Sequence, residues 1–195
     1  MQEKIGSEAR ERVLDAAEHL FARRGYAAVT LRDIAEEVGI RHTSLYHHVP
    51  GGKEALFMEV TERNFQRHRQ GLTNAIRQAP QQIEAQLYAA ADWLLSQPPM
   101  DIVRLNDADL PEIEPAHAAR LSDMALTSLI LPLLQALEQA QQRGEIDHPD
   151  LRLIAGGLLG MIESLFAVPT PALKQSRQEM AHVLIDAFLD GLRRR

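Results

Sequence analysis

The residues with polar chemistry to offer a ligand crowd into one short stretch. Between positions 30 and 53 lie Thr30, Arg32, Arg41, His42, Thr43, Ser44, Tyr46, His47, His48 and Lys53. Guanidinium and ammonium groups bind phosphate, and Thr, Ser and Tyr hydroxyls donate to phosphate oxygens. Arg and Thr also read base edges. This mixture suits nucleic-acid recognition better than catalysis. The histidines raise metal binding as an alternative, but successive helix positions diverge by about 100°, so His47 and His48 do not share a face. Gly51-Gly52-Lys53 matches only a fragment of a phosphate-binding loop and lacks the preceding strand, so it reads as a helix start.

A helix, a glycine corner and a short second helix within residues 31–49 would position these groups. Thr30-Leu31-Arg32-Asp33 has the form of a capping box that opens the first of the two. Leu31, Ile34, Ala35 and Val38 make its apolar stripe, Gly39 stops it, and Ile40 fills the corner. The next helix, His42 to His48, buries Leu45. It would present Arg41, His42, Thr43, Ser44, Tyr46 and His47 to a major groove while the preceding helix crosses the backbone. Lys53 would add a charge beside the free N–H groups that start the following helix. Upstream, Ser7 is the expected cap of a helix ending at Gly25, with Val13, Leu14, Ala17, Leu20 and Phe21 on one face.

From Arg10 to Phe57 the chain resembles the tetracycline-repressor (TetR) family. The Leu20-Phe21…Gly25-Tyr26 stretch, Thr30…Ile34-Ala35, Gly39-Ile40, Ser44-Leu45-Tyr46-His47-His48 and Lys53-Glu54-Ala55-Leu56 stand at the family's spacings. The resemblance implies an all-α protein: a three-helix DNA-binding head, a connecting fourth helix, a helical ligand domain and a homodimer. Three features depart from the pattern. Val49 replaces a frequent aromatic, Pro50-Gly51-Gly52-Lys53 is one residue longer than usual, and Arg41 replaces a small capping residue.

Helical periodicity continues to the C-terminus, with no convincing strand pattern and no internal repeat. A long fourth helix carries Leu56, Phe57, Val60, Phe65, His68, Leu72 and Ile76 and meets Pro80. A fifth runs to Ser96, and a short one is expected over 101–107. Others are expected over about 116–143, 149–166 and 175–192, with Arg193, Arg194 and Arg195 as a basic tail. The expected division is a DNA-binding domain over residues 1–52 and an effector-binding and dimerisation domain over 53–195. The segment Leu151–Val168 is the most apolar, but Gly156, Gly157, Gly160 and Glu163 interrupt it, so it reads as a buried helix and no membrane partner is expected.

Charge divides along the same line. Residues 1–53 hold eight basic and eight acidic side chains, and the whole net charge of −6 falls after them. With no cysteine, disulfides and thiolate chemistry are excluded. An N-terminus without an apolar run lacks a secretory signal, and a cytoplasmic location is expected. An enzyme is the first competing reading, but no nucleophile–base pair or metal motif is recognisable; no catalytic residue, metal or cofactor is expected. A helical protein-interaction module is the second.

A ligand-responsive repressor of a pseudo-palindromic operator is the favoured expectation, released by a small, largely hydrophobic effector. The expected effector lining is Phe65, His68, Trp93, Met124, Met161 and Phe166, with Arg104, His117 or Glu163 as orienting polar groups. The segments 149–166 and 175–193 are each apolar on more than one stripe and are expected to form a two-fold four-helix interface.

Overall fold

Caps and glycines set the helix boundaries at the N-terminal end. The computed structural model describes residues 2–169 and 174–192, with side chains described from Glu8 onward. Helix α1 spans Gln2–Ala28 and bends at Gly25, whose φ of 78° and ψ of 170° are open to glycine. Nothing breaks the helix at Ser7, so it starts at Gln2 rather than just after Ser7. Helix α2 is Leu31–Val38 and ends on a left-handed Gly39, whose N–H bonds the carbonyls of Ala35 and Glu36. Helix α3 is His42–His48, and α4 is Gly52–Gln78.

The later elements follow the expected order. Helix α5 is Ile83–Ser96, and α6 is Ile102–Arg104. A π turn, Leu105–Asp109, and a 3-10 turn, Leu110–Glu112, continue α6. Helix α7, Pro115–Ala125, joins α8, Leu131–Gln142, through a π turn at Leu126–Ile130. Helices α9, Leu151–Ser164, and α10, Arg177–Leu192, complete the described residues, which contain no strand. The expected tail of Arg193, Arg194 and Arg195 lies outside them. By length and composition, one described helix is apolar enough to cross a membrane, the continuous run Pro115–Gln142. Leu121, Leu129, Leu133, Leu137 and Ala140 on it are buried within the protein.

The chain packs as two units, residues 1–64 with 101–123, and residues 65–100 with 124–195. The packing boundary therefore lies inside α4, later than the expected division after Gly52. The reason is that the first turns of α4 pair with α1. Arg10 holds Glu59 at 2.7 Å, Arg63 bridges Glu11 and Asp15, and Asn64 donates to Glu18.

The first unit buries Val13, Leu14, Ala17, Leu20 and Phe21 of α1 with Ile34, Ala35 and Leu45. Phe21, Tyr26 and Phe57 form an aromatic cluster, with Phe57 4.9 Å from Tyr26 and 5.1 Å from Phe21. Val49 is also buried, so the smaller side chain still packs beneath α3.

In the second unit α5 is surrounded by α8, α9 and α10. Its first N–H, on Ile83, donates to Glu145 at 2.7 Å, which caps a helix start lacking a side-chain cap of its own. Tyr88 stacks on His182 at 4.1 Å and donates to Asp186, and His182 contacts Asp92 at 2.9 Å. Burial, followed by that Asp186 contact, pushes the Tyr88 phenol well above its ordinary range. The ring of Trp93 lies against the backbone of Gly71, where a Cβ would overlap it.

Candidate nucleic-acid interface

The site is built on α2 and α3. Thr30 Oγ1 accepts the Asp33 N–H at 3.1 Å, and the Thr30 N–H donates to Asp33 Oδ2 at 2.8 Å. The reciprocal capping box expected from the sequence is therefore present. The Thr30 side-chain and backbone bonds hold the Asp33 carboxyl below its ordinary range. Ile34 and Ala35 face inward from α2, leaving Arg32 outside. The Arg32 side chain is 80% exposed and pairs with Glu36 at 2.9 Å, a solvated contact of small energetic weight that a phosphate could displace.

Leu45, fully buried, anchors α3 and turns its other face outward. Arg41, His42, Thr43, Tyr46 and His47 are all exposed, and Ser44 and His48 are half-buried. Arg41 takes the N-cap position with an extended backbone and no side-chain cap bond, so its guanidinium is not spent on the helix start. His42 meets Tyr46 edge-on at 5.1 Å. Tyr46 remains 50% exposed, unusual for a large side chain that packing alone would place.

Lys53 is placed differently from its expected role beside free helix N–H groups. Its ammonium lies 4.2 Å from the Tyr26 ring centroid and 3.4 Å from the Ala27 carbonyl. Burial lowers its pKa, with Glu112, Asp109 and Asp33 acting in the opposite sense. The left-handed Gly52, with φ of 75°, carries the chain into α4 here.

Sequence reasoning missed the contacts that hold this head from residues 101–117. Arg104 donates to the carbonyls of Ala22 at 2.7 Å and Phe21 at 3.2 Å. Buried Asp109 accepts the Tyr26 N–H. Glu54 receives the Glu114 N–H at 3.0 Å and the His117 ring at 2.6 Å. Arg104 and His117, expected to orient an effector, are thus engaged in the first unit by groups of α1 and α4. The reason is long-range pairing across 63 to 83 positions, which no local pattern signals. Glu54, Glu114 and His117 also form the one group among the described residues whose spacing would admit a metal ion.

The other expected effector residues, Phe65, His68, Trp93, Met124, Met161, Glu163 and Phe166, belong to the second unit. Phe65 and His68 are buried and the rest half-buried. Phe166 is drawn to Arg177, 5.9 Å from its ring centroid, and Arg177 also donates to the Leu165 and Val168 carbonyls.

Comparison with known proteins places the α1–α4 region. Residues 13–60 match the profile described as bacterial regulatory proteins, tetR family. The HTH-type transcriptional regulator LmrA of Bacillus subtilis is 45% identical over 53 residues, 27% of this chain and 28% of that protein. The matched stretch thus spans little more than a quarter of that relative's length. An HTH-type transcriptional repressor of Mycobacterium tuberculosis is 27% identical over 168 residues, 80% of this chain and 82% of its own. Among solved structures, AibR in complex with isovaleryl coenzyme A and operator DNA superposes with a TM-score of 0.73 at 18% identity. That match covers 94% of this chain and 97% of AibR. The likeness extends the all-helical fold over nearly the whole chain.

Proposed function

We infer, from a chain whose residues 13–60 match the profile of the tetR family of bacterial regulatory proteins, that it binds operator DNA as a ligand-responsive repressor. The observation that carries this reading is the exposed face of α3. Arg41, Thr43, Tyr46 and His47 stand outward from a helix pinned by Leu45 behind a left-handed glycine corner. The N-terminal half of α3 enters the major groove, Arg41, His42 and Thr43 read base edges, and Tyr46, Ser44 and Arg32 contact phosphates. Thr30 contributes through the N-terminus of α2, and Lys53 through its long-range charge.

The operator is a pseudo-palindrome bound by a homodimer, with half-sites one or more helical turns of ~34–36 Å apart. Support for a second copy comes from α9 and α10, the core of the segments 149–166 and 175–193. On α9, Leu153 is 67% exposed, and Cβ atoms built on Gly156, Gly157 and Gly160 would meet nothing within 4 Å. On α10, Val183 is 59% exposed, and Leu184 and Ala187 are exposed beside it. Glycines inside a helix cost about 1 kcal/mol each relative to alanine. Close approach of a second backbone gives that cost a purpose.

The effector is small and largely hydrophobic, held in the second unit by Phe65, His68, Trp93, Met124, Met161, Glu163 and Phe166. It releases DNA by binding better to the form whose heads do not fit the operator. AibR, crystallised with an acyl coenzyme A and DNA, gives a precedent for both partners in this fold. The deciding experiment is titration of the full chain against its own promoter DNA at several salt concentrations. Specific binding with a steep salt dependence is expected; equal affinity for unrelated DNA, or none, would overturn the reading.

A further inference from the structure

Where α7 begins, two of its side chains meet the first turn of α4 inside the first unit. Glu114 and His117 stand three positions apart, and the Glu114 carbonyl accepts the Ala118 N–H at 3.0 Å, which closes the first helical turn around them. Residues at i and i+3 share a helix face. Glu54 faces them from α4 and receives both the Glu114 N–H and the His117 ring. One ligand atom from each of Glu54, Glu114 and His117 lies within 4.8 Å of the others. Donors about 2.1 Å from one zinc ion in a tetrahedron stand about 3.4 Å apart, so small side-chain adjustments close this set on an ion.

The set is not purely acidic. Two carboxylates this close repel each other, and His117 offsets one of them only while its imidazole carries a proton. A divalent cation offsets both and uses the imidazole as a neutral ligand. One nitrogen with two carboxylate oxygens favours zinc and its transition-metal neighbours over magnesium or calcium, which take oxygen ligands. We propose that Glu54, Glu114 and His117 bind a divalent transition metal, zinc in the first place, with water completing the coordination. The ion ties the first turn of α4 to the start of α7.

The test uses the full chain without DNA, so its result is independent of operator recognition. Zinc binding is measured by calorimetry, and cobalt(II) serves as a spectroscopic substitute whose visible absorption reports its ligands. One ion per chain is expected, with magnesium and calcium binding far more weakly. Zinc should also raise the melting temperature. Glu114→Gln removes one exposed ligand but keeps the backbone N–H that bonds Glu54, so a merely structural role would leave metal affinity unchanged. Glu114→Gln and His117→Asn should each weaken zinc by about 100-fold or more, beyond the 10–100-fold typical of residues that only orient a ligand. His19, which lies 4.0 Å from Glu37, supplies the control for adventitious binding. His19→Gln should bind zinc as wild type does. No binding by folded wild-type protein, equal affinity for magnesium, or zinc affinity that survives either ligand variant would overturn the assignment.

Discussion

Asp109 accepts the backbone N–H of Tyr26 at 2.7 Å, one residue past the bend of α1 at Gly25. The same carboxylate lies 3.5 Å from Arg104 Nε, and Arg104 in turn grips the Ala22 carbonyl. The end of α1 is thereby held by a segment more than eighty positions away. Removing the buried acceptor in Asp109→Ala leaves both a backbone donor and a guanidinium short of a partner. The expected loss is about 1–3 kcal/mol in urea unfolding, with faster amide exchange at Tyr26. Gly25→Ala should also destabilise, since it combines a positive φ with a Cβ only 2.9 Å from Asp109 Oδ1. An unchanged unfolding midpoint for Asp109→Ala would argue against the clasp.

For the DNA-binding face, Tyr46→Phe, Arg41→Ala and Arg32→Ala should fold normally, because these side chains lie outside the core. Each should weaken operator binding, with Arg41→Ala costing ~1–3 kcal/mol and relaxing discrimination at one base pair. Fluorescence anisotropy against operator and scrambled DNA measures both effects. Native affinity and specificity in all three variants would place the recognition surface elsewhere.

Association is best probed through the exposed glycines of α9. Within one protomer a side chain at Gly160 meets open space, so Gly160→Leu should leave the fold intact. Pressed against a second copy, it should shift sedimentation from dimer to monomer at micromolar concentration. A wild-type protein that sediments as a monomer removes the interface altogether.

The Glu54–His117 contact predicts a pH effect. Hydrogen bonds from His117 and from the Glu114 N–H hold the Glu54 carboxyl below its ordinary range. A carboxyl depressed by folding contributes stability above its unfolded pKa, and that contribution is lost as pH falls through the lower folded value. Wild-type protein should therefore lose stability below about pH 4.3, the ordinary Glu value, more steeply than Glu54→Gln. Parallel acid-unfolding profiles for the two proteins would contradict the pairing.

Trp93 is the only tryptophan, so its emission reports on the second unit without labelling. Gly71→Ala places a methyl where the Trp93 ring lies and should shift that emission, destabilising the fold by about 1–3 kcal/mol. Small hydrophobic acids or amines that act as effectors should change Trp93 emission and operator affinity together, and Trp93→Ala should blunt the second response. DNA affinity that responds to no such molecule would leave a regulator without a ligand sensor.

Features legible in the sequence are those settled within a few residues. The Thr30–Asp33 box and the left-handed Gly39 each depend on bonds or dihedrals among near neighbours, so residue type decides them. The outward face of α3 was legible for the same reason: one buried Leu45 sets the orientation of a seven-residue helix. Tertiary structure alone decided the rest. It moved Lys53 onto Tyr26 and drew Arg104 and His117 into the first unit. It placed the packing boundary inside α4. Those outcomes depend on which distant groups meet when helices pack, and helical periodicity specifies the buried face of each helix without specifying its partner.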